Sequence, residues 1–165
     1  MAEVDKYIDG EMARFHEELF EFLRIPSVSA RSEHSGDMEK TAAWVAKKIR
    51  EAGLEASIIE TPGHPVVLGE WRGAGPDAAT VLVYGHYDVQ PAEPLELWQS
   101  PAFEPTVREG SLFARGASDN KGQIFLHIKA LEACLRTTGT LPVNVVVVAE
   151  GEEEIGSPNL VPFVK

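Results

Sequence analysis

Three short segments of this 165-residue chain carry residue types suited to metal chemistry: His86 with Asp88, Asp119, and the run Glu152-Glu153-Glu154. The first follows the apolar stretch Val81-Leu82-Val83-Tyr84, which reads as a buried strand because it is short, β-branched and aromatic. Alternate residues of a strand face the same way. His86 and Asp88 therefore project together, about 7 Å apart along the strand, with Tyr87 on the other side. One histidine with several carboxylates is a ligand set for zinc, manganese or a similar ion. A metal-binding histidine commonly gives its second ring N–H to a carboxylate, a role open to Asp88. A carboxylate can also bridge two ions about 3.5–4 Å apart, and Asp119 is the candidate bridge. Glu153 and Glu154 are adjacent, so one can hold a metal while the other accepts a proton from water. Each segment alone has an ordinary reading: an incidental His-x-Asp, an N-cap at Asp119-Asn120, a solvated acidic loop. Their shared position near expected strand ends, where α/β sheets bind ligands, joins them into one site. His16, His34, His64 and His127 are assigned no chemistry, and Cys134 reads as a small core residue.

The elements that must position these residues follow from periodicity. Residues 4–24 form a helix with Tyr7, Ile8, Met12, Phe15, Leu19, Phe22 and Leu23 on its apolar face, ended by Pro26. A polar loop covers 27–36. A second helix spans 37–52, with Met38, Ala42, Val45, Ile49 and Ala52 inward and Gly53 as its stop. Strands are expected at 55–61, 65–71 and 80–84. A proline-rich loop fills 90–103, anchored by Trp98 and Phe103. A hairpin follows across Glu109-Gly110, and then an apolar helix at 120–136. Residues 142–149 hold four consecutive valines, the pattern of a strand buried on both faces. Ser157-Pro158 opens a further helix, with proline at its first position. Strands alternating with helices predict an α/β layer fold: a mixed, mostly parallel sheet flanked by helices.

Composition narrows the class. With 44% hydrophobic residues the chain is long and apolar enough for one domain with a core. A net charge of −11, from 26 acidic against 15 basic residues, argues against nucleic-acid or anionic-membrane surfaces. A lone cysteine excludes an internal disulfide, and no apolar run approaches the roughly 20 residues that span a bilayer. The acidic N-terminus lacks the basic start and apolar core of a signal peptide. These features predict a soluble, cytoplasmic protein.

The ordered motifs Gly85-His86-Tyr87-Asp88-Val89-Gln90-Pro91, Pro101-Ala102-Phe103-Glu104-Pro105 after Trp98, Arg115-Gly116-Ala117-Ser118-Asp119-Asn120-Lys121-Gly122-Gln123 and Glu150-Gly151-Glu152-Glu153-Glu154-Ile155-Gly156-Ser157 closely resemble the M20 family of dinuclear zinc peptidases. The nearest likeness is to its dipeptidase branch, the cytosolic non-specific dipeptidases and carnosinases. The resemblance implies a zinc-peptidase (phosphorylase/hydrolase-like) catalytic domain. It also implies two divalent ions, zinc first, with manganese or cobalt as alternatives. By the same resemblance His86, Asp119 and Glu154 are metal ligands, with Asp119 bridging both ions and joined to Asn120 by a cis peptide bond. Asp88 and Glu153 take the catalytic roles, Asp88 orienting the histidine and Glu153 acting as general base. Ala114 stands where a glycine is common, and Asn120 where an aspartate is commoner. Glu152 is an extra acid that could shift the pair by one, and Gly156-Ser157 fixes the register. Family members are longer. The expectation is therefore that residues 1–165 are the N-terminal part of the catalytic domain, with the lid and dimerisation domain, the C-terminal part and the remaining ligands absent. Such a piece should be inactive alone and leave a sheet edge or apolar helix faces exposed. The implied substrate is a dipeptide or short peptide, and the implied full-length assembly a homodimer. The competing readings are a non-catalytic scaffold that binds metal weakly or serves as an interaction module, and an N-acyl-amino-acid deacylase of the same family.

Overall fold

The structure is a computed structural model that describes residues 2–165. Helix α1 (Ala2–Arg24) and helix α2 (Ser35–Glu51) precede the strands β1 (Glu55–Ile59), β2 (Val66–Trp71) and β3 (Thr80–His86). A small hairpin, β4 (Thr106–Arg108) with β5 (Ser111–Phe113), leads to α3 (Lys121–Thr138), β6 (Asn144–Glu150) and the short α4 (Leu160–Val164). Among the described residues no helix is long and apolar enough to cross a membrane.

The main sheet has the order β1-β2-β6-β3. It is mixed, as expected, but only β3 and β6 are parallel, while β1–β2 and β2–β6 are antiparallel. "Mostly parallel" is therefore corrected for these residues. The six residues between β1 and β2 suit a hairpin, whereas parallel pairing needs a long crossover. The stretch from β3 to β6 provides one through the small hairpin and α3.

Helices α2 and α3 pack on the sheet, and α1 packs against α3. The apolar stripe of α2 is fully buried, at Met38, Ala42, Val45 and Ile49, against Val67, Val145 and Val147 of the strands. Phe22 of α1 stacks on Trp44 of α2 with ring centroids 4.4 Å apart. The valine run of β6 is buried along nearly its whole length, as its composition predicts. β3 is not the buried strand expected at 81–84: Val81, Leu82 and Tyr84 are exposed, Leu82 by 63%. Among the described residues it lies at the sheet edge beside β6 alone, and the side that carries Leu82 and Tyr84 is exposed. The further helix starts at Leu160, not at Pro158, because Ser157 has a φ of 52° and the chain is still turning there.

Candidate functional site

β3 and β6 run in parallel and end together, with His86 beside Glu150. The loops that follow leave from one end of the sheet, so the His-x-Asp segment and the acidic run converge. His86 is 4% exposed. Its Nδ1 lies 3.2 Å from both the carbonyl oxygen and Oδ1 of Asp88. Its Nε2 lies 3.1 Å from Asp119 Oδ1 and 3.7 Å from Glu153 Oε2. The His86 backbone N–H donates to Asn120 Oδ1 at 3.1 Å. That contact explains Gly85: a Cβ there would sit 2.7 Å from the same oxygen. Burial disfavours the imidazolium, but the hydrogen bond and charge of Asp88, then the charges of Glu153 and Asp119, outweigh it and hold the His86 pKa at about 9. The pocket thus favours positive charge at this position.

Asp88 does more than the sequence suggested. It is fully buried, and besides facing His86 it accepts the Ser29 hydroxyl at 2.6 Å. Its two oxygens also accept the backbone N–H groups of Glu153 at 3.3 Å and Glu154 at 3.1 Å. One carboxylate therefore fixes the imidazole and the start of the acidic loop together.

Asp119 reaches the site from the loop before α3, not from the end of a main-sheet strand. Its side chain is 76% exposed, and its peptide bond to Asn120 is cis, as the resemblance implies. The N-cap reading is not realised: Asn120 holds the cap position without a side-chain cap bond. Behind it, Lys121 is fully buried and donates Nζ hydrogen bonds to the carbonyls of Phe22 at 3.0 Å and Ile25 at 2.6 Å. Burial lowers its pKa to about 7, against the pull of Asp37 and Asp88. This lysine ties the start of α3 to the last turn of α1, a role unread in the sequence.

In the acidic run the three carboxylates part ways. Ligand atoms of His86, Glu153 and Glu154 lie within 4.8 Å of one another. Glu154 is further held by Gln90, whose Nε2 donates to its Oε2 at 3.0 Å. Glu152 points elsewhere: it is 4% exposed and bonded to His64 and Asn159. Glu150 is also buried and accepts the hydroxyls of Tyr84 and Ser157. The structure thus groups His86, Glu153 and Glu154, with Asp88 behind the imidazole, and brings Asp119 to His86 Nε2 but not into that group of mutually close ligand atoms. Among the described residues no lysine or arginine pairs with Asp119, Glu153 or Glu154, and His86 is the basic partner that Asp119 and Glu153 share. An imidazole grouped with the carboxylates of Glu153 and Glu154, without a lysine or arginine counter-charge among the described residues, is a donor set that fits a divalent ion of the zinc or manganese kind. Sequence reasoning passed over Ser29, His64, Gln90, Lys121 and Asn159, because their partners are distant in the chain.

Residues 82–165 match the family described as peptidase family M20/M25/M40. The chain is 36% identical over 144 residues to the cysteinylglycine-S-conjugate dipeptidase of Corynebacterium striatum, an alignment covering 87% of this chain and 31% of that protein. It is 35% identical over 164 residues to the Cys-Gly metallodipeptidase of Schizosaccharomyces pombe, covering 93% of this chain and 34% of the relative. Among solved structures, human carnosine dipeptidase 1 superposes with a TM-score of 0.92 at 32% identity, covering 99% of this chain and 37% of the other. The chain spans about a third of the length of these relatives.

Proposed function

Because the chain belongs to the M20/M25/M40 peptidase family, we propose that it carries the metal-binding half-site of a dinuclear-zinc dipeptidase. The reaction is hydrolysis of the peptide bond of a dipeptide or short peptide. The supporting observation is His86, whose ring groups with Glu153 and Glu154, meets Asp119 at Nε2 and is held from behind by Asp88. His86, Asp119 and Glu154 would hold the two divalent ions, Asp119 shared between them. Bound there, such ions polarise a scissile carbonyl and lower the pKa of the attacking water.

The chain's own groups do the rest. Asp88 holds the proton on His86 Nδ1, so that Nε2 is the nitrogen that would give up its proton and offer a lone pair to an ion. Glu153 stands 3.7 Å from that nitrogen and is nearly half exposed, free to take a proton from water and return it to the leaving amine. The backbone bonds from residues 153 and 154 to Asp88 hold the base and the ligand in fixed register. The chain spans about a third of its relatives' length, and we infer that further ligands and substrate-binding groups would come from residues outside it, in a homodimeric enzyme. The lone cysteine and the acidic charge support a cytosolic setting.

Calorimetric titration with zinc tests this reading. Saturable uptake of one or two ions per chain, lost in Asp119→Ala, is expected. Absent uptake, or uptake that this variant leaves unchanged, overturns it.

A further inference from the structure

We propose that Glu152, with the turn between β1 and β2, is a positioning clamp that sets the Glu153–Glu154 pair. This rests on the metal-site reading above. Glu152 Oε1 accepts the His64 backbone N–H at 3.1 Å, and its two oxygens accept Asn159 Nδ2 at 3.1 and 2.8 Å. Its Oε2 also accepts the Asn159 backbone N–H at 3.3 Å. The Glu152 carbonyl accepts the N–H groups of Ile155 at 3.2 Å and Ser157 at 2.8 Å, which turns the chain directly after the pair. Residue 152 is therefore bound at side chain and backbone on both sides of the two acids it precedes.

The turn it grips is itself braced. Thr61 Oγ1 donates to the His64 carbonyl at 2.7 Å and accepts the Gly63 N–H at 3.1 Å. The Tyr87 hydroxyl donates to the Pro65 carbonyl at 2.6 Å, and His64 Nε2 lies 3.1 Å from the Ser29 carbonyl. Tyr87 and Ser29 flank Asp88 and back onto the same pocket, since Ser29 also donates to Asp88. The turn thus transmits the position of the His86–Asp88 segment to the acidic loop, while Asp88 reaches that loop from the other side.

Stability alone does not call for a carboxylate here. Glu152 is buried, as are the acids Asp88 and Glu150, and among the described residues no lysine or arginine pairs with it. Burying a charge is costly unless hydrogen bonds meet it, and bonds to an ionised acceptor are shorter and stronger than neutral ones. A carboxylate fits this position when rigidity of the following pair, and negative potential toward a cation, are what the position supplies.

Gly63 offers a test that leaves the acidic loop untouched. A Cβ at Gly63 would lie 1.8 Å from Glu152 Oε1, so Gly63→Ala must push the carboxylate off its seat. The obstacle is the end of a flexible side chain, so folding should survive. The full chain and its Glu152→Gln and Gly63→Ala variants are titrated with zinc alone, and backbone amide exchange is followed in the metal-free proteins. Both variants should lose about 10–100-fold in zinc affinity, the range for groups that orient ligands. Both should also speed exchange at Glu153 and Glu154 while keeping a cooperative melt. Unchanged affinity in either folded variant, or unchanged exchange at those amides, overturns the clamp. If the unaltered chain takes up no zinc, the metal-site reading fails by itself, and the exchange comparison still decides the clamp.

Discussion

Asp88 shows how one buried acid can fix a site. Four donors converge on it: the Ser29 hydroxyl, the two loop amides and His86 Nδ1. Asp88→Asn keeps the volume but turns an amide NH2 toward donors that need an acceptor, and leaving buried donors unmet costs about 1–3 kcal/mol each. Zinc affinity should fall about 10–100-fold by calorimetry, with a lower melting temperature. A variant that binds zinc like the unaltered chain would remove Asp88 from the site's support. Part of this was legible in advance. The two-residue period of a strand puts His86 and Asp88 on one side whatever surrounds them. The grip of Asp88 on residues 65 and 66 positions away in sequence was not legible, because no local spacing encodes which loop returns to a strand end.

Among the elements, the three helices are joined by a buried charge network. Glu18 of α1 lies 2.5 Å from Lys129 of α3 and 3.0 Å from both Lys48 of α2 and Arg14. Glu132 of α3 pairs with Arg14 and Lys129 in turn. Burial would raise the Glu18 pKa, but the hydrogen bonds from Lys129 and Lys48, then Arg14, outweigh it and bring it to about 2 from an ordinary 4.5. Because the folded pKa is depressed, the stability Glu18 contributes is complete above the unfolded pKa near 4.5 and is lost as pH falls toward 2. The melting temperature should drop across that window. Glu18→Gln should flatten the drop and cost about 3 kcal/mol at neutral pH, since it leaves buried lysines short of a partner. A pH profile identical in the variant would show that the acid sensitivity lies elsewhere. Apolar periodicity gave the three helices to within a few residues. It was blind to this network, because Glu18, Lys48, Lys129 and Glu132 look like surface charges until three helices meet.

For the whole molecule, the feature with consequence is β3. Among the described residues its outer edge has no partner strand, and Val81, Leu82 and Tyr84 stand exposed without a charged residue among Thr80–Gly85. Met12 and Leu126, on α1 and α3, are exposed as well. An unpaired, uncharged apolar edge is a template for association. The 165-residue chain should therefore self-associate as its concentration rises, and Leu82→Lys should suppress this at little cost to the fold, since residue 82 is mostly in solvent. Sedimentation velocity of both proteins checks it. Equal monomer content at high concentration would mean the edge is protected in solution.

The sequence by itself determined the helices and strands that have a strong period, the apolar stripe of α2, the buried valine strand, and the residue types that meet at the pocket. Those follow from backbone geometry and side-chain chemistry within a few residues. The family resemblance kept Glu153 and Glu154 as the pair and set Glu152 aside; only the tertiary structure decided where Glu152 goes, because that depends on His64 and Asn159 lying within hydrogen-bond reach. It also decided that the apolar run of β3 lies at an exposed edge. Seven residues rich in valine and leucine read alike at the centre of a sheet and at its rim, and only the neighbours a strand receives in space tell the two apart.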